Sequence, residues 1–492
     1  MTLVHRVLFP TPIGSLDEYV KVRGGGGLAA ARKLSADEII AEIAASGLRG
    51  RGGAGFPTGR KWRTVRDYAS ETERTSVVVN AAEGEPGTFK DRTILRNDPY
   101  QVLEGALIAA RAVDAEQIIV GTKRSFTREV ERLHAAISEV KAAGWCDGIE
   151  IEVFEGPNEY LYGEETALLE TIDGRYPFPR IAPPYRRGVH EVVESAADVD
   201  TGSGLSAHVE MAGPGDGNVA PPALVDNVET LANVARILAR GAEWFRTEGT
   251  PESPGTIVCT VTGSTVHAGV GEVIMGTPLR EVIDAIGGGA RPGRRIRAVL
   301  PGVSSGFISG AALDTPVSYE ALAAIGSGLG SAGFVVFDDT DDLVAVAAGA
   351  ARFLAVESCG QCSPCKLDGQ RIAELLAATT HASADARDLA ELRARIATVA
   401  DGARCSLATQ QQVVASSLLD AFGEDVEAHL DGQTASTQLR LVAELLDIHD
   451  GVALSDERHR EKQPDWTYDA VDSGQAPAAR LGEHRDPLVL DE

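Results

Sequence analysis

The chain has 492 residues, of which 43% are apolar, and its formal net charge is −26. This length predicts two to four domains, and the absence of a signal-peptide pattern and of any run of about 18 apolar residues predicts a cytoplasmic protein without a membrane span. The strong negative charge excludes nucleic acid and anionic membrane surfaces as partners, because both are bound through clustered Lys and Arg.

The N-terminal half alternates predicted helices with predicted strands. Ser35 and Glu38 form a capping box that opens a helix, and a glycine-rich stretch at 47–59 ends it. Strands are predicted at Thr75–Asn80, Gln117–Gly121 and Ile149–Glu155, and helices at Tyr100–Val113, Phe126–Ala143, Glu164–Ile172 and Val228–Leu238. This alternation is typical of βαβ units with a mainly parallel sheet. Residues 187–222, rich in Gly, Ala, Asp and Pro, are interpreted as a surface insertion.

The C-terminal half predicts a small β-rich unit, a helical unit and a tail. The β-rich unit has strands at Thr256–Thr262, Glu272–Met275 and Arg295–Leu300 and a helix at Leu279–Ile286. The pattern is helical from Leu343 to His429. Beyond Leu430 the chain is acidic, with several Gly and Pro, and we expect a loosely ordered tail apart from a helix at Leu439–Ile448.

Four of the six cysteines form one constellation: Cys359, Cys362, Cys365 and Cys405. Three thiolates on one tight Cys-x-x-Cys-x-x-Cys loop suit three corners of a cubane, and a remote cysteine supplies the fourth. Structural zinc, the alternative, usually takes its ligands as two separated pairs. The pattern therefore favours a [4Fe–4S] cluster. The isolated Cys146 and Cys259 are interpreted as ordinary core residues.

The stretch from Gly50 to Gly55 satisfies GxGxxG, but a Rossmann fingerprint must follow a strand. Here a helix precedes it, and no GK[ST] follows as a P-loop would require. What remains is a loop whose N–H groups can approach a phosphorylated or planar ligand, with nearby cations at Arg49, Arg60 and Lys61. A flexible connector is the alternative interpretation.

Acidic residues stand where ligands of α/β proteins bind. Glu85 follows a predicted strand, and Glu165 lies at the start of a predicted helix. Both could accept hydrogen bonds from ribose, ribityl or nicotinamide amide groups. Carboxylates at a helix start also interact favourably with the helix dipole, and Asp226 and Asn227 are common helix caps, so a structural role is the alternative.

Six segments together resemble the NADH-binding flavoprotein subunit of respiratory complex I, a module also found in NAD-linked hydrogenases and formate dehydrogenases. In chain order they are GLRGRGGAGFPTGRKW, EGEPGTFKDR, YGEETALLE, PRIAPPY, DNVETLANV and ESCGQCSPCKLDG. The resemblance covers roughly residues 15–430. It implies an α/β FMN- and NADH-binding domain with a mainly parallel sheet (1–245), a small β-grasp-like domain of SLBB type (250–335) and a helical bundle carrying the cluster (340–430), followed by the acidic tail (431–492).

The resemblance also implies the site residues. Those expected to surround FMN are Gly50, Arg51, Gly52, Gly53, Lys61, Asn80, Glu83, Tyr160, Gly163, Glu164, Asp226, Asn227 and Thr230. Those expected to face NAD(H) are Phe56, Glu85, Glu165 and Tyr185, with the two rings stacking on the nucleotide.

By the same resemblance, a hydride passes from NADH to FMN, and single electrons leave through the cluster. No further cysteine cluster is present, so the electrons must exit to a partner, expected to be a thioredoxin-like [2Fe–2S] subunit beside a larger Fe–S subunit. Attachment to the inner face of the membrane would then come through the complex.

The sequence departs from the family's pattern at three positions. Ala82 replaces a usual Asp, Ala182 a usual Lys, and Asp226 a usual Asn. One charge-assisted hydrogen bond is worth roughly 1.5–3 kcal/mol, so the first two changes are expected to weaken nucleotide or flavin binding without abolishing it. They motivate an alternative, a relay subunit with a degenerate nucleotide site. A second alternative is the flavoprotein subunit of an NAD-linked formate dehydrogenase or hydrogenase.

Overall fold

The computed structural model describes residues 3–23, 25–69, 74–189, 221–435 and 437–466. Most of the predicted insertion, residues 190–220, and the last part of the predicted tail, residues 467–492, lie outside this description. Within it, no helix combines the length and the apolar character that crossing a membrane requires. The predicted domain boundaries stay predictions.

A four-stranded parallel sheet forms the centre of the N-terminal half, in the order β3-β2-β1-β4. Its strands are β1 (Ser76–Ala81), β2 (Gln117–Lys123), β3 (Glu150–Gly156) and β4 (Ala223–Asn227). β1 is buried along nearly its whole length because helices cover both faces of the sheet. The parallel sheet predicted from alternation is confirmed, but the sequence did not predict β4.

Ten helices accompany this sheet in the described part of the chain. They are α1 (Leu16–Arg23), α2 (Gly26–Ala31), α3 (Ala36–Ser46), α4 (Thr58–Asp67), α5 (Lys90–Asn97), α6 (Pro99–Val113), α7 (Thr127–Ala142), α8 (Glu165–Ile172), α9 (Val228–Arg240) and α10 (Ala242–Phe245). The capping box is confirmed, since Ser35 Oγ accepts the N–H of Glu38 and the Glu38 carboxylate accepts the N–H of Ser35. Helix α6 is buried on nearly every side, packed mainly on α9.

The second sheet is mixed, with the order β6-β5-β9-β7-β8. Its strands are β5 (Thr256–Gly263), β6 (Gly269–Ile274), β7 (Ile296–Pro301), β8 (Ile308–Ser309) and β9 (Gly333–Asp338), accompanied by α11 (Leu279–Gly287) and α12 (Tyr319–Ala324). Only β5 and β9 pair in parallel. The sequence did not predict β9, the central strand.

The helical unit that follows contains α13 (Leu343–Glu357), α14 (Ser363–Thr380), α15 (Ala386–Thr398), α16 (Leu407–Ala421) and α17 (Gly423–Leu430). Helix α13 is buried along almost its whole length and packs against α14 and α16. The predicted helical unit is confirmed.

The predicted helix at Leu439–Ile448 is wrong. Residues in this stretch instead form strand β10 (Leu445–His449), which pairs antiparallel with β11 (Val452–Ser455). Between them Asp450 and Gly451 have φ values of 49° and 76°, the conformation that Asp-Gly adopts in two-residue hairpin loops. The turn signal outweighs the helical periodicity because pairing and tertiary contacts follow from it. Residues 437–466 therefore do not form a loosely ordered tail.

Candidate functional site

The carboxyl ends of the parallel strands meet at one edge of the first sheet, which we call the carboxyl edge. Asn80, near the end of β1, pairs in register with Asn227 at the end of β4, and Lys123 ends β2. Ligands of open α/β sheets bind at this edge. The structure therefore brings together predicted flavin residues that lie almost 150 positions apart in the chain.

The glycine loop between α3 and α4 packs against the start of α9. The backbone N–H of Arg51 donates to Thr230 Oγ1 (2.9 Å), and a Cβ added to Gly52 would lie 3.4 Å from the Asn227 Cβ. No described residue accepts a hydrogen bond from the N–H groups of Gly52 or Gly53. Unsatisfied N–H groups of this kind suit an anionic phosphate. The helix before the loop agrees with the rejection of a Rossmann fingerprint.

The side chain of Arg51 points into the protein. Its buried guanidinium donates to the carbonyl oxygens of Pro254 (3.2 Å) and Thr256 (3.1 Å) and lies 4.0 Å from the Glu229 carboxylate. This geometry corrects the expectation for Arg51: its side chain joins the glycine loop to β5, and only its backbone lies beside the predicted flavin site.

A charged group of three side chains lies next to the carboxyl edge. Lys61 Nζ pairs with Glu165 (2.8 Å), and the buried Asp226 accepts a hydrogen bond from Trp62 Nε1 (2.7 Å). Burial opposes the charge of Lys61, but the carboxylates of Glu165 and Asp226 outweigh it and raise the Lys61 pKa. Lys61 therefore stays a cation, suited to an anionic ligand.

We expect the substitution Lys61→Met to weaken FMN binding about 10- to 100-fold, since one charge-assisted hydrogen bond is worth roughly 1.5–3 kcal/mol. The change also leaves two carboxylates beside the ligand without their cation. Titration of FMN into the deflavinated protein, followed by fluorescence quenching, measures the affinity. The control is Arg63→Met on the same helix, where the lost partner is the exposed Asp37. Equal affinities of the wild type and Lys61→Met would remove Lys61 from the site.

Asp226 gives the fold a pH dependence. Burial raises its pKa from 3.8 to about 6, against the opposing effects of Lys61 and the Trp62 hydrogen bond. The folded state thus holds the proton more tightly than the unfolded state, so this residue costs stability as pH rises from about 4 to 6, and the cost is complete above 6.

We therefore expect Asp226→Asn to stabilise the protein by up to about 3 kcal/mol above pH 7, with a smaller gain at pH 5. Melting temperatures of both proteins across pH 5–8 measure the difference. Asp37→Asn is the control, because Arg63 lowers the pKa of the exposed Asp37 and no gain is expected there. A gain that did not change with pH would contradict the assignment.

Two predicted residues shape the loop before α8. Asn80 Nδ2 donates to the carbonyl oxygen of Gly163 (2.8 Å), where a Cβ would lie 2.8 Å from the Ala82 carbonyl oxygen. Glu164 caps α8 by accepting two N–H groups of its first turn, each at 2.9 Å. The structural alternative thus describes the Glu164 side chain, while Asn80 holds residues 160–163 against the end of β1.

A buried charge cluster at the start of α5 was missed in the sequence, although its residues belong to the EGEPGTFKDR segment. Lys90 Nζ contacts Asp91 (2.8 Å), Glu229 (3.0 Å) and Asn227 Oδ1 (3.0 Å). Burial opposes the Lys90 charge, but the Asp91 and Glu229 carboxylates outweigh it and raise its pKa. Asn227 also donates to Asp91 (2.7 Å) and caps α9. Its side chain is thus committed to the fold, as the capping alternative held.

Tyr160 connects the carboxyl edge with the other two regions. Its hydroxyl donates to Glu85 (2.6 Å) and lies 3.1 Å from Gln410 Oε1 on α16. Glu85 also accepts the N–H of Val303, beyond β7, at 2.6 Å. Burial raises the pKa of Glu85, and burial together with the Glu85 carboxylate raises the pKa of Tyr160. Both predicted residues therefore lie where the three regions meet.

The two predicted stacking rings differ in their surroundings. Phe56 is 46% exposed, with the Arg60 guanidinium 5.7 Å from its ring centroid. Tyr185 instead packs on Tyr68, with ring centroids 5.0 Å apart. The Phe56 ring is therefore open to a planar ligand, whereas the Tyr185 ring already has an aromatic neighbour.

The four predicted cluster cysteines line one pocket with an empty volume of about 300 Å³. Cys359 and Cys362 lie between α13 and α14, Cys365 lies in the first turn of α14, and Cys405 precedes α16. Leu161 also lines the pocket. Since Leu161 follows Tyr160, the pocket adjoins the segment that reaches the carboxyl edge.

The thiols fit a cluster chemically. Burial raises the pKa of Cys365 to about 11 and that of Cys405 to about 12, and neighbouring cysteines in the constellation raise them further. Gln361 Nε2 donates to Cys359 Sγ (3.4 Å), and Ser358 Oγ lies 3.4 Å from Cys365 Sγ. Hydrogen bonds to cluster sulfurs tune the reduction potential. Cys259 is a buried residue of β5, as predicted, and Cys146 is half-buried.

Comparisons with known proteins agree with this geometry. Residues 43–236 match the Nuo51 FMN-binding domain, and residues 345–429 match the NADH-ubiquinone oxidoreductase-F iron-sulfur binding region. The F 2 protein of the Rhizobium meliloti NADH-quinone oxidoreductase is 34% identical over 420 residues, covering 83% of this chain and 93% of that protein. The NADP-reducing hydrogenase subunit HndC of Solidesulfovibrio fructosivorans is 34% identical over 426 residues, covering 85% and 81%.

A solved structure, an NAD⁺-reducing [NiFe]-hydrogenase in the H₂-reduced state, superposes with a TM-score of 0.71 at 30% identity, covering 85% of this chain and 67% of that chain. The sheet, the pocket and the two matched regions define an NADH-oxidising flavoprotein with FMN and a [4Fe–4S] cluster. The chain belongs to the family of F-type subunits of NADH-quinone oxidoreductase.

Proposed function

We propose that this subunit oxidises NADH at the carboxyl edge and passes electrons to a partner through a cluster held by Cys359, Cys362, Cys365 and Cys405. The observation that carries the proposal is the position of Tyr160. Its hydroxyl contacts Glu85 at the carboxyl edge, and the next residue lines the cysteine pocket. The two redox sites are therefore neighbours, as transfer between them requires.

The chain's own residues would bind and orient the reactants. FMN, when bound, supplies hydride acceptance and the release of single electrons. The N–H groups of Gly52 and Gly53 and the cation of Lys61 suit its phosphate. Glu165 and Glu85 offer acceptors for nucleotide hydroxyl or amide groups, and Phe56 offers an exposed ring for stacking. Hydride transfer needs no general acid or base from the protein.

An anaerobic titration with NADH tests the function. The chain is reconstituted with FMN, iron and sulfide, and its visible spectrum is recorded. We expect NADH to bleach the flavin band despite Ala82 and Ala182. A response to NADPH alone would reassign the nucleotide. A bound flavin that neither nucleotide reduces would favour the relay subunit, and failure to bind flavin at all would contradict the proposal.

The electrons must leave through other subunits, since the relatives are subunits of multisubunit complexes. We propose as partners a thioredoxin-like [2Fe–2S] subunit and a larger Fe–S subunit. The complex would be cytoplasmic, attached to the inner face of the membrane only through other subunits. Co-purification of the tagged chain, followed by mass spectrometry of the bound proteins, tests this composition.

A hydrogenase is the second candidate for the complex, ahead of a formate dehydrogenase. The observation that favours it is the 0.71 TM-score with the NAD⁺-reducing hydrogenase, together with the HndC relative. In that case the subunit would reduce NAD⁺ or NADP⁺ with electrons arriving through the cluster. A nickel-containing subunit among the co-purified proteins would support this candidate, and a quinone-reducing complex would exclude it.

A further inference from the structure

Residues 437–466, which we call the C-terminal brace, touch all three regions of the molecule. The brace lies beyond both matched family regions, which end at residue 429. It begins against α13, where the N–H of Arg440 donates to the Ala345 carbonyl (3.1 Å). A Cβ added to Gly349 would lie 1.9 Å from the Arg440 carbonyl oxygen. The backbones are therefore in direct contact.

The first half of the brace is bonded to side chains below the carboxyl edge. Glu444 pairs with Lys123 (2.6 Å), whose Nζ would lie 2.7 Å from a Cβ on Gly84. The Leu445 carbonyl accepts a hydrogen bond from the buried Arg92. Arg92 also donates to Glu83 (2.9 Å). Two buried cations thus connect the brace to residues 83–85, the segment expected to hold flavin and nucleotide.

The hairpin at the centre of the brace reaches the second sheet. The N–H of Ala268 donates to the carbonyl oxygen of Gly451 (2.7 Å), and Asp447 in β10 pairs with Arg96 of α5 (2.8 Å). The hairpin is therefore fixed on two sides, and its strands do not depend on their own pairing alone for stability.

The second half of the brace is bonded to the helix that leads into the cysteine loop. Arg352 donates to the carbonyl oxygens of His459 (2.8 Å), Arg460 (2.9 Å) and Lys462 (2.9 Å). The His459 ring stacks on Phe353, with centroids 4.8 Å apart. Phe353 in turn meets the Tyr160 ring edge-on at 5.2 Å. The brace therefore also supports the residue that connects the two redox sites.

The end of the brace covers the cysteine loop itself. Glu357, two residues before Cys359, contacts Lys462 and His459. A Cβ added to Gly360 would lie 2.5 Å from the Trp466 ring, and Lys366 Nζ lies 3.8 Å from the Trp466 ring centroid. The indole thus lies directly on the backbone between Cys359 and Cys362.

We propose that the C-terminal brace positions the cysteine loop against the flavin side of the molecule, and that Trp466 shields the cluster from water. Trp466 acts here as a positioning residue, since it touches the loop and not the reactants. The proposal rests on ligation of the cluster by the four cysteines. It gives a function to a segment for which the sequence alone predicted none.

The test compares full-length Trp466→Ala with Trp466→Phe, which keeps a ring on Gly360, and with Val452→Ala, a change at a 58% exposed hairpin residue. In Trp466→Ala we expect loss of iron to a chelator to become roughly tenfold faster, since a ring and a cation–π contact are lost. The cluster reduction potential should rise, because water stabilises the more negative reduced cluster. Flavin content and flavin bleaching by NADH should stay unchanged.

His459→Ala, which removes the ring from Phe353 and the contact with Glu357, is expected to act in the same direction. The two controls should keep the wild-type rate and potential. Wild-type rates and potentials in both Trp466→Ala and His459→Ala would overturn the brace proposal while leaving the proposed function intact. A wild-type chain that takes up no cluster would instead overturn the ligand assignment, and the brace proposal with it.

Discussion

The substitution Cys405→Ser is expected to remove the [4Fe–4S] cluster while NADH still bleaches the flavin. Cys405 is the ligand most remote in sequence from the other three, and it closes the pocket from the side of α16. A serine oxygen is a harder ligand that suits the soft iron–sulfur centre poorly, and the remaining loop offers only three thiols. Iron analysis and the EPR spectrum of the dithionite-reduced protein measure the loss.

The matched control is Cys146→Ser, since Cys146 is half-buried and lies outside the constellation. It should keep full iron content. Retention of the flavin response in Cys405→Ser matters equally, because it shows that the two redox sites load independently. A normal cluster spectrum in Cys405→Ser would show that another residue supplies the fourth ligand, and loss of iron in Cys146→Ser would point to general instability.

The substitution Lys90→Met is expected to destabilise the N-terminal region by about 3–5 kcal/mol. Lys90 is completely buried, and its removal leaves the carboxylates of Asp91 and Glu229 buried without their cation. Breaking one partner of a buried pair has this large effect because an uncompensated charge stays behind. The midpoint of the first transition in a denaturant titration, at unchanged slope, measures the loss.

Lys141→Met is the control for this prediction. Lys141 is an exposed residue of α7 whose Nζ reaches one backbone carbonyl (2.9 Å), and surface changes of this kind usually stay within about 0.5 kcal/mol. Because Asn227 Oδ1 contacts Lys90 (3.0 Å), Lys90→Met should also lower the flavin content. Equal stability of the two variants would show that the buried carboxylates take up protons at little cost.

The fold could be predicted where local pattern and tertiary structure agree. Apolar runs gave the strands at the positions of β1, β2 and β3, and the capping box gave α3. Strand β4 was not predicted because its five residues follow a long insertion and end in Asp226 and Asn227, which resemble a helix cap. The helix expected at Leu439–Ile448 was wrong because its periodicity is overruled by the Asp450-Gly451 turn and by contacts with distant residues.

The site was predicted to a similar extent. The sequence placed the right segments at the carboxyl edge, but it could not tell which side chains remain available to a ligand. Asn227 and Glu164 are largely occupied by capping and ion-pair partners, whereas Lys61 and Phe56 stand beside the edge. Lys90 and Arg92 were overlooked because charged residues in a helix are normally exposed, and nothing local shows that these two are buried.

What the sequence by itself determined is the chemistry: four cysteines at a spacing that fits a cubane, a glycine loop after a helix, and motifs whose order identifies the family. These are properties of residue type and spacing, and they need no knowledge of distant contacts. Tertiary structure alone decided that Arg51 turns toward β5, that Tyr160 joins Glu85 to the cysteine pocket, and that residues 437–466 form a brace. The physical reason is that each depends on partners up to several hundred residues away, whose burial and charge no local pattern contains.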